Sequence, residues 1–378
     1  MKNVLFLSSW YPSRVHSTLG NFVRYHALAA SKYNSVNVLY IVADDKVSDY
    51  EIEHFKDKEL NTTIVYFKRG VFKYLNYFIA FLKGFKFLKN KKSLKFDIVH
   101  MNIMHPGIWQ ALYLKWRYKI PYIVSENWHG FQDLNKYNLS YLELKIIQLG
   151  FRFSSAVSPV SHQLENCMIK ANYKANYQII PNVVDTNKFN IVKSKDSNNH
   201  FTFLHVSTLD DSIKNVSGII DAFEKLTHQN ITLKIIGDGP TGWIFDKIKN
   251  LKTTNSIIIE KEKTHDQIAK EMRNADVFIL FSNIENLPLV LIESISSGTP
   301  FIASKVGGIP ELFNNDLGKL VESGNIGQLV QEMNFMIENP FYFDSSKIRS
   351  HALQHYSEKE VGKQFNDLYI EIANNLTN

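Results

Sequence analysis

The chain has a single cysteine, Cys167, in 378 residues. This rules out a disulfide framework and leaves no partner for a thiolate metal centre. With Met168 and Ile169 beside it, Cys167 reads as a small, half-buried apolar residue. Long apolar runs are missing too. None approaches the ~18–20 residues that span a bilayer, so no integral membrane protein is expected. The first residues, Met1-Lys2-Asn3 followed by Val4-Leu5-Phe6-Leu7-Ser8-Ser9, lack the long apolar stretch and cleavage site of a signal peptide. That run is expected to be a first buried strand, ended by Trp10-Tyr11-Pro12, in a cytoplasmic protein. Acidic residues are absent between positions 68 and 96, where nine basic ones stand. No nucleic-acid motif accompanies the patch, and no nucleic-acid partner is expected.

The length exceeds one core of ~100–200 residues, so two domains are expected. Hydrophobic residues at 44% and charged ones at 21% place both among ordinary globular domains. The net charge of +6 matters because it is concentrated in the stretch 68–96. There Phe72, Tyr74, Leu75, Tyr77, Phe78, Phe81, Leu82, Phe85, Phe87 and Leu88 interleave with lysines. Two readings stand: an amphipathic helix lying on an anionic membrane surface, or an ordinary helix packed on a sheet with a solvated lysine face.

Short apolar runs alternate with longer amphipathic ones throughout, the pattern of parallel strands joined by crossover helices, which gives an α/β class. In the first half, strands are expected at 4–8, 36–42, 63–67, 97–101, 122–125, 156–159 and 178–180. Helices are expected at 22–32, 74–89, 107–117, 139–150 and 161–171. A polar linker at 193–200 separates a second series of strands at 201–207, 233–237, 257–260, 277–281 and 301–304. A final amphipathic helix is expected at 358–376. The domain reading is 1–186, 187–355, and a C-terminal segment 356–378 that packs back on the first domain.

The most informative segment runs from Ser282 to Pro300, and at its centre stands Glu285-Asn286-Leu287-Pro288-Leu289-Val290-Leu291-Ile292-Glu293. It follows a buried strand, and Pro288 suits the first turn of a helix. A helix starting at a strand's carboxyl end presents free N–H groups to a phosphate. Beside a diphosphate, Glu285 and Glu293 make sense as acceptors of hydrogen bonds from sugar and ribose hydroxyls. Together with Gly298-Thr299-Pro300, Gly307-Gly308 and Pro310-Glu311, this segment resembles the donor site of the retaining glycosyltransferases of family 4. Further segments extend the resemblance: Ser8-Ser9-Trp10-Tyr11-Pro12 with Gly20-Asn21-Phe22-Val23, the run from Val157 to Ser161, Ile180-Pro181-Asn182-Val183-Val184-Asp185 with Phe189, and Gly237-Asp238-Gly239-Pro240.

The resemblance implies a GT-B fold, two Rossmann-like domains facing across a cleft, with the C-terminal helix crossing back to the N-terminal domain. It implies transfer of a hexose from a UDP- or GDP-linked sugar, with retention, no metal and no cofactor. Lys214 matches the family's phosphate-binding lysine, whereas Thr208 or Leu209 stands where an arginine is expected. Glu285 would orient the sugar, Glu293 would bind the ribose, and Gly20, Asn21, Asn286, Leu287, Pro288, Leu289 and Val290 would line the donor. In Ser125-Glu126-Asn127-Trp128-His129-Gly130-Phe131, His129 or Asn127 takes the place of the family's histidine near the reacting sugar. His100 and His105, around Asn102, are weaker candidates. The acceptor is expected to be a saccharide, lipid-linked and reached from the inner face of the cytoplasmic membrane, in bacterial surface polysaccharide assembly. The alternatives are a nucleotide-sugar epimerase or phosphorylase of the same fold, and an inactive scaffold subunit.

Overall fold

The computed structural model describes residues 1–70, 72–92, 95–191 and 200–375. The linker expected at 193–200 lies outside them up to residue 199, as does the end of the expected last helix at Leu376. The chain divides into two compact units, Met1–Val183 together with Glu358–Asn378, and Val184–Ser357.

The first unit is built on strands β1 (Asn3–Ser8), β2 (Ser35–Ala43), β3 (Tyr50–Asp57), β4 (Leu60–Phe67), β5 (Ile98–Asn102), β6 (Tyr122–Glu126) and β7 (Ala156–Pro159). They form one sheet in the order β3-β4-β2-β1-β5-β6-β7. All neighbours are parallel except β3 and β4. Val4, Leu5, Phe6 and Leu7 have no exposed surface, as expected of a central parallel strand covered on both faces. Helices α1 (Asn21–Ser31), α2 (Lys73–Lys92), α3 (Ile108–Tyr118), α4 (Tyr141–Phe153) and α5 (His162–Lys170) make the crossovers. Ser140 and Glu143 start α4 with a reciprocal capping box, and Ser161 caps α5. The C-terminal helix Glu358–Asn375 belongs to this unit and packs on α1, burying Phe365, Leu368 and Tyr369.

Two differences from the sequence reading stand out. Strand β3 was not expected. It is the antiparallel edge of the sheet, and Glu51, Glu53 and Lys56 along it are the charged residues that keep an edge from pairing with another chain. The segment 178–180 is no strand. It follows β7 through the hydrogen bonds Gln178 N–H to Val157 O and Ile180 N–H to Pro159 O. The choice left open for the basic stretch divides along α2. Phe81, Phe85 and Leu88 are buried in the body of the helix, while Phe72, Tyr74 and Leu75 at its start are exposed.

The second unit has six parallel strands, β8 (Phe201–Ser207), β9 (Ile231–Gly237), β10 (Ser256–Lys261), β11 (Val277–Leu280), β12 (Phe301–Ser304) and β13 (Gly318–Val321), in the order β10-β9-β8-β11-β12-β13. Its helices are α6 (Asp211–Lys214), α7 (Val216–Glu224), α8 (Gly242–Ile248), α9 (His265–Asn274), α10 (Leu289–Ser296), α11 (Ile309–Leu312), α12 (Ile326–Glu338) and α13 (Ser345–His355). Phe203, Ile235, Ile279, Phe223, Leu329 and Met333 meet in its core. Each sheet runs outward in one direction and then returns to continue in the other. The reversal falls between β1 and β5 in the first unit and between β8 and β11 in the second. In open α/β sheets, ligands bind outside the carboxyl ends of the strands at such a point.

Candidate active site

In the second unit, the chain leaving β8 is shaped by a neutral hydrogen-bond relay. His205 is fully buried, and burial lowers its pKa to about 4, so the ring is uncharged. Its Nδ1–H donates to the Ile279 carbonyl at 2.9 Å, which leaves Nε2 to accept from the Ser207 hydroxyl at 2.7 Å. Ser207 Oγ in turn accepts from the Leu209 N–H at 3.1 Å. Leu209 is held in the left-handed region, φ 58°, with its side chain in the core. Of the two positions where the resemblance calls for an arginine, Thr208 is exposed and Leu209 is buried in the core.

The cation at this edge is Lys214, the last residue of the short helix α6. Its ammonium lies 2.5 Å from Glu285 Oε1, in the loop after β11, and the Ser282 hydroxyl donates to the same oxygen at 2.8 Å. The two segments are tied together by Asn283, whose N–H donates to the Ile213 carbonyl and whose Nδ2 donates to the Ser212 carbonyl. Lys214 and Glu285 thus flank the β8/β11 reversal. From the other side the loop meets Gly307. A Cβ there would stand 1.9 Å from the Glu285 carbonyl oxygen, and its φ is +56°, so only glycine fits. The following Gly308 N–H donates to the Asn286 carbonyl at 2.7 Å.

Helix α10 begins one residue later than expected, since Pro288 is its extended N-cap rather than part of its first turn. The N–H groups of Leu289 and Val290 have no acceptor among the described residues, as the first amides of a helix do not. Leu287 is buried. One turn further on, Glu293 is 2% exposed, and its Oε1 receives no hydrogen bond from a described residue. His265 Nε2 stands 3.7 Å away. Burial pushes the Glu293 carboxyl up to about 8, against the opposing pull of Lys188. Gly298-Thr299-Pro300 is a structural corner: Thr299 O accepts from Ser294 Oγ, and Thr299 Oγ1 donates to the Met272 carbonyl.

In the first unit, Gly20 is the left-handed N-cap of α1, and a Cβ there would meet the Trp10 carbonyl at 2.5 Å. Asn21 opens the helix. After β6, Glu126 is fully buried and accepts the N–H groups of Met104, Asn127 and Trp128, clamping the loop after β5 to its own. Burial still raises its pKa to about 7, because three donors do not replace lost hydration. Asn127 Nδ2 donates to Asn182 Oδ1 at 3.0 Å. His129 Nε2 lies 2.6 Å from the Tyr137 hydroxyl. His105 stacks on Trp128. His100 is a core residue, with Nδ1 2.6 Å from the Tyr369 hydroxyl and Nε2 2.7 Å from Ser125 Oγ. Among the described residues, no group of three or more histidine, cysteine, aspartate or glutamate side chains is arranged to hold a metal ion.

The structure thus brings Lys214 and Glu285 into contact, with α10 presenting its amides beside them and Glu293 below. His129, Gly20 and Asn21 belong to the other unit. The sequence gives no role to Ser282, Lys188 or His265, and it does not show Glu126 as the clamp beneath the loop of Asn127 and His129. Serine three residues before a glutamate was a visible signal for the first. Nothing local marks the rest.

Two family models match the chain, "Glycosyltransferase Family 4" over residues 26–188 and "Glycosyl transferases group 1" over residues 186–359. N-acetyl-alpha-D-glucosaminyl L-malate synthase of Bacillus anthracis is 24% identical over 318 residues, 80% of this chain and 81% of that protein. Sulfoquinovosyl transferase SQD2 of Arabidopsis thaliana is 24% identical over 64% of this chain, which spans 50% of that relative's length. Among solved structures, sucrose-phosphate synthase from Thermosynechococcus elongatus superposes with a TM-score of 0.78 at 16% identity, covering 98% of this chain and 99% of that one. Anabaena HepE in complex with UDP-glucose gives 0.73 at 19% identity, with both chains covered in full. With one model over each half and the same fold along the whole length, the chain belongs to the family 4, group 1 glycosyltransferases of the two-domain GT-B fold.

Proposed function

We propose that the chain transfers a hexose from a UDP- or GDP-linked sugar to a saccharide acceptor, with retention of configuration and without a metal or other cofactor. The observation that carries this reading is the Lys214–Glu285 pair at the β8/β11 reversal, followed by the amides of Leu289 and Val290, which meet no acceptor among the described residues. A diphosphate at that edge takes charge stabilisation from the ammonium and from the helix start. When Lys214 turns to the phosphate, Glu285 is released to accept hydrogen bonds from hydroxyls of the transferred sugar. Glu293, buried and short of a donor, takes the ribose hydroxyls. The Anabaena protein solved with UDP-glucose supports the donor class.

In the proposed reaction the bond from the anomeric carbon to the diphosphate oxygen breaks, and the acceptor oxygen bonds to that carbon on the same face. The acceptor's proton passes to the departing phosphate. We assign the acceptor side to the first unit, with His129 or Asn127 in the role of the family's histidine. We assign the acceptor as lipid-linked, used in bacterial surface polysaccharide assembly at the inner face of the cytoplasmic membrane. Among the described residues no helix is long and apolar enough to cross a membrane.

The test is a panel of nucleotide sugars screened for thermal stabilisation of the whole chain, since ligand well above its dissociation constant raises stability by a few kcal/mol. The stabilising donor is then offered an alcohol acceptor, and the anomeric configuration of the product is read by NMR. Retained configuration with full activity in chelator is expected. An inverted product, loss of activity in chelator, or turnover to an epimer without acceptor overturns the proposal.

A further inference from the structure

We propose that the first unit binds the hydrocarbon chain of a phosphate-bearing lipid acceptor in an apolar cavity at the carboxyl edge of its sheet. The inference rests on the glycosyltransferase reading and names the acceptor's site. The cavity measures about 880 Å³, within the range of small-molecule sites. Its floor is Val42 and Phe67, at the ends of β2 and β4, and its walls include Tyr77, Trp109 and Ile146 from α2, α3 and α4.

The Ser9 hydroxyl and the Glu143 carboxylate on its wall are already engaged. Ser9 Oγ donates to the Ile103 carbonyl and accepts from the Gly107 N–H. Glu143 accepts from both the N–H and the hydroxyl of Ser140. His105 is stacked on Trp128, with its pKa lowered by burial. A free saccharide would find few unmet partners here, whereas a hydrocarbon chain needs none.

Two features fix the rest of the ligand. Arg69 and Lys73 line the exposed side of the cavity, and neither is ion-paired with a described residue, although Glu143 lies near enough to Lys73 to be influenced by it. They suit a phosphate at the head of the chain. Around them, Phe72, Tyr74 and Leu75 at the start of α2 and Tyr141 and Leu142 at the start of α4 are each more than half exposed, and Tyr74 and Leu142 also line the cavity. An exposed apolar rim of this kind is what would let a chain pass from a bilayer into the site without crossing water.

Calorimetric titration of the whole chain with decyl phosphate, decanol and inorganic phosphate tests this. Decyl phosphate should bind saturably, decanol about tenfold or more weakly, and phosphate without saturation. Ile146→Trp, which fills the cavity, and the exposed pair Arg69→Glu with Lys73→Glu should each weaken decyl phosphate by about tenfold or more, while thermal stabilisation by the nucleotide sugar stays as in wild type. No saturable binding of decyl phosphate, equal binding of decanol, or unchanged affinity in both variants overturns the proposal. Saturable, variant-sensitive binding without any sugar transfer would uphold the cavity and sink the transferase reading. Transfer to soluble saccharides without decyl phosphate binding would do the reverse.

Discussion

Glu293→Gln separates a buried, undersatisfied carboxyl from an ordinary surface one. The native carboxyl titrates at about 8 because it is buried, against an ordinary value of 4.5. The folded pKa is the higher one, so between these values the native state keeps a proton that the unfolded state has lost. Stability then falls as pH rises, by about 1.4 kcal/mol per unit, and levels off above the native pKa. From about pH 5.5 to about pH 7.5 the wild type should lose about 2–3 kcal/mol relative to the glutamine variant, which does not titrate. Denaturant midpoints of both proteins across that window measure the difference directly. On the proposed ribose contact, nucleotide binding supplies a second readout, because hydroxyls that donate to the ionised form pull the proton off. Affinity in the wild type should climb with pH toward 8, by up to about tenfold per unit, and stay flat in the variant. Parallel stability curves for the two proteins would refute the argument.

Lys214→Met should lower kcat/KM for sugar transfer by about 10²–10³, and it should destabilise the second unit because Glu285 keeps its burial and loses its cation. Adding Glu285→Gln to that variant should recover about 1–3 kcal/mol of denaturant stability without restoring activity. Gly307→Ala should cost about 1–3 kcal/mol or more, since its Cβ collides with the Glu285 carbonyl oxygen. It should also weaken nucleotide binding in titration, because that collision moves the loop bearing Glu285. Glu126→Leu strands three backbone N–H groups at about 1–3 kcal/mol each and should lower the thermal midpoint sharply. Glu126→Gln, which keeps an acceptor, should lower it much less.

Much of this was written in the sequence, and what was missed shares a physical cause. Central strands such as β1 and β11 are apolar on both faces, and helices follow them at regular spacing, so the two sheets were legible. Strand β3 was not, because an edge strand survives by carrying charge where a buried one carries apolar side chains. The helix expected at 74–89 is there within α2, but the choice between a sheet-packed and an exposed face was not legible. Periodicity finds the residues of α2 that face the sheet, but it cannot tell that Phe72, Tyr74 and Leu75 precede the point where the helix meets it. In the site, Glu285 through Glu293 was readable because one strand-to-helix junction carries the whole segment. In the sequence Glu126 is legible only as part of a loop. A lone glutamate looks like a surface charge until three N–H groups from two loops are seen to converge on it.

The substitution at Thr208–Leu209 is where sequence and structure together say more than either. A missing arginine is a gap in a motif, and a motif does not say what fills it. In the structure Thr208 is exposed and Leu209 sits in the core, held by an uncharged relay through His205 and Ser207. No second cation is offered from that loop. The positive charge at the reversal is then Lys214 with the first amides of α10, and Lys214 is already committed to Glu285, a residue 71 positions away that only the order of the strands brings beside it. A diphosphate entering here has to win Lys214 from Glu285. It does so at least cost when a sugar hydroxyl arrives at the same moment to hydrogen-bond the carboxylate it displaces. The nucleotide without its sugar lacks that compensation and should bind the more weakly of the two, in a difference that Glu285→Gln should narrow.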